Sequence, residues 1–279
     1  MSSKITVDLI ISLKNKRKIT MLTAYDYSIA SLVDKAGIDI ILVGDSLANV
    51  VLGLESTTQV GMPEMLHHAK AVNRAVKNAL LIGDMPYSAY QIDPGECVVN
   101  ARRFITEAGC QAVKLEWFDN CPQVTEQIVQ AQIPVMGHIG LTPQTVDKIG
   151  GFKCQGKDAQ AASRLINQAE ELERKGCFAL VLECVPDKLA ELITKKIKIP
   201  TIGIGAGVHC DGQVLVINDL LGLFERHTPK FVKKYANLSP LISEAVENFK
   251  NEVIHEKFPG CEHSFTINVE ELKKINGCH

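Results

Sequence analysis

The chain has 279 residues, 46% of them hydrophobic and 22% charged, with a formal net charge of -2. That near-neutral balance excludes the basic excess with which a nucleic-acid protein meets phosphates. No stretch approaches the roughly 20 apolar residues that a spanning helix needs.

Taken from the start, Met1-Ser2-Ser3-Lys4 leads into no apolar segment of signal-peptide type. The nine cysteines are irregularly spaced, form no CxxC pair, and by their odd number leave one unpaired in any scheme. The expectation is a soluble, cytoplasmic protein whose cysteines are reduced, small core fillers. The run Lys14-Asn15-Lys16-Arg17-Lys18 reads as a solvated surface. Apolar, β-branched runs then predict strands over 19–25, 39–44, 79–83, 112–116, 134–138, 178–183, 200–204 and 214–218. Between them, apolar residues recur at the helical period over 65–76, 97–108, 123–131, 159–175 and 188–196. Gly37, Gly109 and Gly176 each follow a helical stretch and precede a strand, the place for a left-handed cap.

Eight strand–helix alternations predict a (β/α)8 TIM barrel, because parallel strands need helical crossovers. A doubly wound open sheet would carry a glycine-rich turn after its first strand, where this chain has Tyr25-Asp26-Tyr27-Ser28. We expect one barrel domain over 1–257, with N- and C-terminal helical additions, and a tail over 258–279.

The strand ends carry the chemistry. Strand two runs into Gly44-Asp45-Ser46, strand three into Gly83-Asp84, strand four holds Lys114 and ends at Glu116, strand five ends at His138, and strand six at Glu183. In a closed barrel these ends meet at one mouth, where such folds build their sites. Singly, Asp45 reads equally well as a helix cap, Asp84 as a turn former, Lys114 as an outward ion-pair partner and His138 as a core histidine. Glu183, after five apolar residues, needs a partner or a role. Together at one end of consecutive strands they point to a site. Carboxylates sharing a site repel unless a proton or cation intervenes, and an all-oxygen set suits Mg2+ better than zinc. Asp45, Asp84 and Glu116 are thus the expected metal site. The glycine-rich Ile202-Gly203-Ile204-Gly205-Ala206-Gly207 lacks the context of a dinucleotide fingerprint. It could cradle a phosphate, but we favour close approach of a neighbour to its backbone.

The segments "MLTAYDYSIASLVDKAGIDIILVGDSLANVVLG", "LLIGDMPY", "AVKLE", "IPVMGHIGLTPQ", "LECVP", "IPTIGIGAG", "DGQVLV" and "PKFVKKY" resemble, in order, the ketopantoate hydroxymethyltransferase family. The resemblance implies a (β/α)8 barrel of the phosphoenolpyruvate/pyruvate type. It implies transfer of a hydroxymethyl group from 5,10-methylenetetrahydrofolate to α-ketoisovalerate, giving ketopantoate in pantothenate and coenzyme A biosynthesis. It implies Mg2+ at Asp45 and Asp84 with Glu116 beside it, ketoacid binding by Ser46, Lys114 and His138, and Glu183 as general base. It also implies a homo-oligomer, commonly a decamer. The stretch 223–227 and the chain beyond 251 depart from the family's pattern. A Mg2+-dependent lyase or mutase on the same barrel is one rival, although its Lys-Lys-Cys-Gly-His-type loop motif is missing here. A non-catalytic metabolite-binding barrel is the other, against which Glu183 and Lys114 argue.

Overall fold

The computed structural model describes residues 4–276, apart from 92, 147–150, 152 and 227. In chain order the elements are α1 (Val7–Ser12), β1 (Ile19–Thr23), α2 (Tyr27–Lys35), β2 (Ile40–Val43), α3 (Leu47–Val50), α4 (Met62–Ala75), β3 (Leu80–Asp84) and α5 (Pro94–Thr106). There follow β4 (Ala112–Glu116), α6 (Cys121–Gln130), β5 (Val135–Gly140), α7 (Ala159–Arg174), β6 (Ala179–Glu183), α8 (Asp187–Lys196), β7 (Thr201–Ile204), β8 (Gly212–Leu215), α9 (Ile217–Leu221), α10 (Leu238–Ile254) and α11 (Val269–Asn276). The eight strands are parallel and close in sequence order, β8 pairing with β1. This is the TIM barrel expected, with one difference: residues 205–211 join β7 to β8 without a helix, and β8 begins at Gly212. The apolar run at 214–218 straddles the end of β8 and the start of α9, which explains the displaced prediction.

Strand side chains alternate between two cores. Ile19, Met21, Ile40, Leu42, Leu80, Ile82, Ala112, Met136, Ala179, Val181, Ile202 and Val214 fill the barrel interior, with Ile10 of α1 joining them. The opposite phase, including Ile41, Val43, Leu81, Val113, Leu115, Val135 and Leu180, meets the helices. Gly37, Gly109 and Gly176 all adopt positive φ, as the helix ends require.

The basic run at 14–18 is exposed from Asn15 to Lys18, as the solvated reading expects, and two of its side chains also tie down the barrel's base. Arg17 grips Asp39 through both terminal nitrogens, at 2.8 and 2.7 Å, and Asp39 also accepts from the backbone and hydroxyl of Thr20. Lys14 Nζ reaches Asp211 at 2.7 Å, and Asp211 accepts from Thr201 N at 2.9 Å. Asp34, at the end of α2, accepts from Lys77 N, Asn78 N and Ala79 N, binding that helix to the start of β3. These bonds hold the Asp34 carboxyl below its usual pKa although burial pushes it up.

In the glycine-rich stretch, a Cβ on Gly205 would lie 2.8 Å from the Phe231 ring and one on Gly207 2.6 Å from Asp187 Cβ. Both have positive φ. Close approach of neighbouring chain accounts for these two glycines. The eight described cysteines are free thiols, five of them buried. Among the described residues no helix is long and apolar enough to cross a membrane. Helix α10 buries none of its side chains and exposes Leu241, Ile242, Val246, Phe249, Val253 and Ile254. Of the two departures from the family pattern, the tail includes the exposed helix α11, and His227 lies outside the described residues.

Candidate active site

Strand phase and register assemble the mouth. Asp84, Lys114, Glu116, His138 and Glu183 share the inward phase of β3, β4, β5 and β6 with the apolar residues below them. Register sets Asp84 opposite Lys114 and Glu116 opposite His138. Lys114 Nζ therefore lies 2.8 Å from Asp84 Oδ1, 4.0 Å from Glu116 Oε1 and 3.3 Å from His138 Nδ1. His138 Nδ1 is 3.4 Å from Glu116 Oε1, and its Nε2 is 3.2 Å from Glu183 Oε2. Asp45, just beyond β2, joins through its backbone N–H, which donates to Asp84 Oδ2 at 3.2 Å.

Two of the bland readings, those for Asp45 and Lys114, fail on these contacts. Asp45 caps nothing: Ser46 is the N-cap of α3 and makes no side-chain cap bond. Lys114 is buried among acids rather than pointing outward. Ser46 shares a 2.7 Å hydrogen bond with Tyr25 and stands at the edge of the cluster.

Two residues essential to this arrangement escaped sequence reasoning. Gln144, in the 3-10 turn Pro143–Thr145, donates its backbone N–H to Glu116 Oε2 at 3.1 Å. Its side-chain amide donates to Asp45 Oδ2 at 2.8 Å and to Met85 O at 3.1 Å. Tyr90 donates its hydroxyl to the Gln144 carbonyl oxygen. The turn signal Leu141-Thr142-Pro143-Gln144 directly after the His138 strand was the available clue; Tyr90 carries no local signal.

The electrostatics follow from enclosure. Burial raises the Asp45 carboxyl, Glu116 adds to the rise, and Lys114 opposes it. Burial likewise lifts Asp84 to about 7, against the pull of Lys114. For Lys114 burial favours the neutral amine, but Asp84, Glu116 and Asp45 outweigh it and keep the ammonium. His138 is drawn down by burial and by Lys114, yet Glu116 and Glu183 carry it up to about 9, favouring its charged form. Glu183 is the acid most open to the mouth, with 15% of its side chain exposed against 1% for Asp84.

Among the described residues no three acid, imidazole or thiolate groups form a ready cage for a metal. Lys114 stands between Asp84 and Glu116, and Gln144 between Asp45 and Glu116. Even so, the donors are all oxygens, Asp45 adjoins Asp84, and Asp84 Oδ1 is buried with no hydrogen bond beyond its ion pair with Lys114. Such a set fits Mg2+, which takes one or two carboxylates and keeps waters.

The profile of ketopantoate hydroxymethyltransferase matches residues 4–261. The chain belongs to that family. As a member it is a transferase. A 3-methyl-2-oxobutanoate hydroxymethyltransferase of Syntrophomonas wolfei is 58% identical over 262 residues, spanning 94% of this chain and 95% of that one. Its counterpart in Syntrophobacter fumaroxidans is 53% identical over 277 residues, spanning 99% and 98%. Among solved structures, 2,3-dimethylmalate lyase, a PEP mutase/isocitrate lyase superfamily member, aligns with a TM-score of 0.59 at 13% identity, covering 99% of this chain and 96% of that one. That likeness shows a shared fold, the closed (β/α)8 barrel.

Proposed function

We propose that the protein transfers a hydroxymethyl group from 5,10-methylenetetrahydrofolate to C3 of α-ketoisovalerate (3-methyl-2-oxobutanoate), giving ketopantoate for pantothenate and coenzyme A synthesis. Overall, one water is consumed and tetrahydrofolate is released. The observation that carries this reading is the contact of Glu183 with His138 at the rim of the acid cluster, in a member of this family. Glu183, the most open acid, is the base that takes the C3 proton. His138 beside it steadies the carboxylate and lines the ketoacid pocket. Lys114 and Ser46 hold the ketoacid carboxylate, Lys114 by charge and Ser46 by its hydroxyl, which Tyr25 orients. Asp45, Asp84 and Glu116 are the residues we assign to Mg2+, with Gln144 and Lys114 spacing them. When bound, the ion supplies Lewis-acid polarisation of the keto group. The low-dielectric mouth strengthens each of these interactions.

We place the reaction in the cytoplasm, with small molecules rather than nucleic acid or membrane as partners. The bare apolar face of α10 supports self-association, and the family resemblance supports a decamer. The test is incubation of the full chain with Mg2+, α-ketoisovalerate and 5,10-methylenetetrahydrofolate. Ketopantoate is the expected product; its absence under conditions where a family enzyme forms it would overturn the reading.

A further inference from the structure

A groove of about 620 Å³ opens at the mouth between the loop after β4 and the first turns of α7. That is the size of a small-molecule pocket, and its wall adjoins the acid cluster. Tyr90 lines the groove and also bonds Gln144, whose amide holds Asp45. The groove thus stands one side chain away from the residues assigned above to the ketoacid and metal.

Its lining combines three kinds of recognition. Trp117 and Phe118 bring half-buried aromatic surface, with the Phe118 and Tyr90 ring centroids 5.0 Å apart. Aromatic faces of this kind favour a flat, delocalised ring. Asp119 adds a carboxylate and Arg164, on α7, a guanidinium. Among the described residues neither makes an ion pair, with the other or elsewhere, so both charges are free for a ligand. A carboxylate accepts from adjacent N–H donors, the pattern of an aminopyrimidine edge, and a guanidinium takes a carboxylate by its fork. A purely apolar ligand would leave both charges unused, and a small ketoacid would fill little of the volume.

We propose that this groove seats the one-carbon donor, its pterin ring on Trp117 and Phe118, its aminopyrimidine edge on Asp119 and its carboxylate tail on Arg164. The assignment rests on the reaction proposed above and names the part of the mouth that binds the second substrate. The donor's carbon then reaches the ketoacid past Gly140, which lines the groove and pairs in register with Glu183, while the ketoacid lies on the Lys114 side.

Trp117 is the chain's single tryptophan, so its fluorescence reports from inside the groove. Tetrahydrofolate, titrated into the full chain with Mg2+ present and corrected for ligand absorbance, should quench it saturably, with an affinity matching a parallel calorimetric titration. Arg164→Gln should weaken tetrahydrofolate about 10-fold or more yet leave 6-methyltetrahydropterin, which has no carboxylate tail, bound as before. Asp119→Asn should weaken both probes. Thermal unfolding of each variant separates lost binding from lost folding, both residues being exposed. Heat of binding without quenching, or wild-type affinity in both variants, would overturn the assignment. If the wild-type chain makes ketopantoate and the variants keep its KM for the folate, the groove falls and the reaction stands. If the wild type is quenched by tetrahydrofolate but makes no ketopantoate, the reaction falls and the groove stands.

Discussion

Gln144 donates its side-chain amide to Asp45 Oδ2 at 2.8 Å, and through that bond the loop after β5 fixes a carboxylate delivered by β2. The same residue holds Glu116 by its backbone and is itself held by Tyr90. Removing the amide frees Asp45 to rotate. If Asp45 is a Mg2+ ligand, Gln144→Ala should weaken Mg2+ binding by on the order of 10-fold, since groups that orient ligands typically contribute that much. Calorimetric titration of the ion gives the number, and unchanged affinity would divorce Gln144 from the metal.

Glu183→Gln keeps the size of the side chain and its place beside His138 while removing the base. Exchange of the C3 hydrogen of α-ketoisovalerate in deuterated water should fall by roughly 10²–10⁴-fold, the usual contribution of a positioned base. Ketoacid binding should persist. Exchange at the wild-type rate in this variant would take the base role away from Glu183.

Asp45→Ala with Asp84→Ala should abolish the Mg2+ dependence of ketoacid binding. The measurement is ketoacid affinity with and without a chelator. A double variant that still binds more tightly when the ion is added would locate the metal elsewhere.

Asp34 carries the clearest pH consequence. Its folded pKa lies below the unfolded value because backbone N–H groups of 77–79 outweigh the effect of burial. Its stabilising contribution is therefore complete above the unfolded value, about 3.9, and is lost as pH falls through the lower folded value. Asp34→Ala leaves those donors unpaired and should cost about 2–3 kcal/mol at neutral pH. Denaturant titrations at pH 7 and pH 3 should show the gap between variant and wild type narrowing in acid.

Gly83, next to Asp84, is pressed against α5: a Cβ there would lie 2.2 Å from Phe104 Cδ1. Gly83→Ala should destabilise the chain by about 1–3 kcal/mol through overpacking. Phe104→Leu in the same chain should recover part of that loss, because the two residues are in contact. Additive losses in a double-mutant cycle would mean that the clash is not with Phe104.

Strand periodicity and strand-end chemistry made the barrel and its mouth legible, because each strand carries its own inward phase. Asp84, Lys114, Glu116, His138 and Glu183 could be read one strand at a time, and closure of the barrel brought them together. What could not be read were bonds that depend on register between distant loops. Gln144 and Tyr90 meet across 54 positions, and nothing near either residue anticipates the other. The partner of Arg17 was hidden for the same reason: the side chain is solvated as expected, but its bond to Asp39 depends on a residue 22 positions away. Nor did the apolar run at 214–218 reveal that it spans a strand end and a helix start.

The two rims of the barrel treat acids in opposite ways. Below, Asp34, Asp39 and Asp211 are saturated with donors, and the fold gains from every one. Above, burial raises the pKa of the crowded Asp45 and Asp84. Efforts to harden this protein against heat therefore do best to leave the lower-rim acids and their donors intact. If the upper rim is the active site proposed above, changes that relieve its buried acids should raise stability at the cost of turnover.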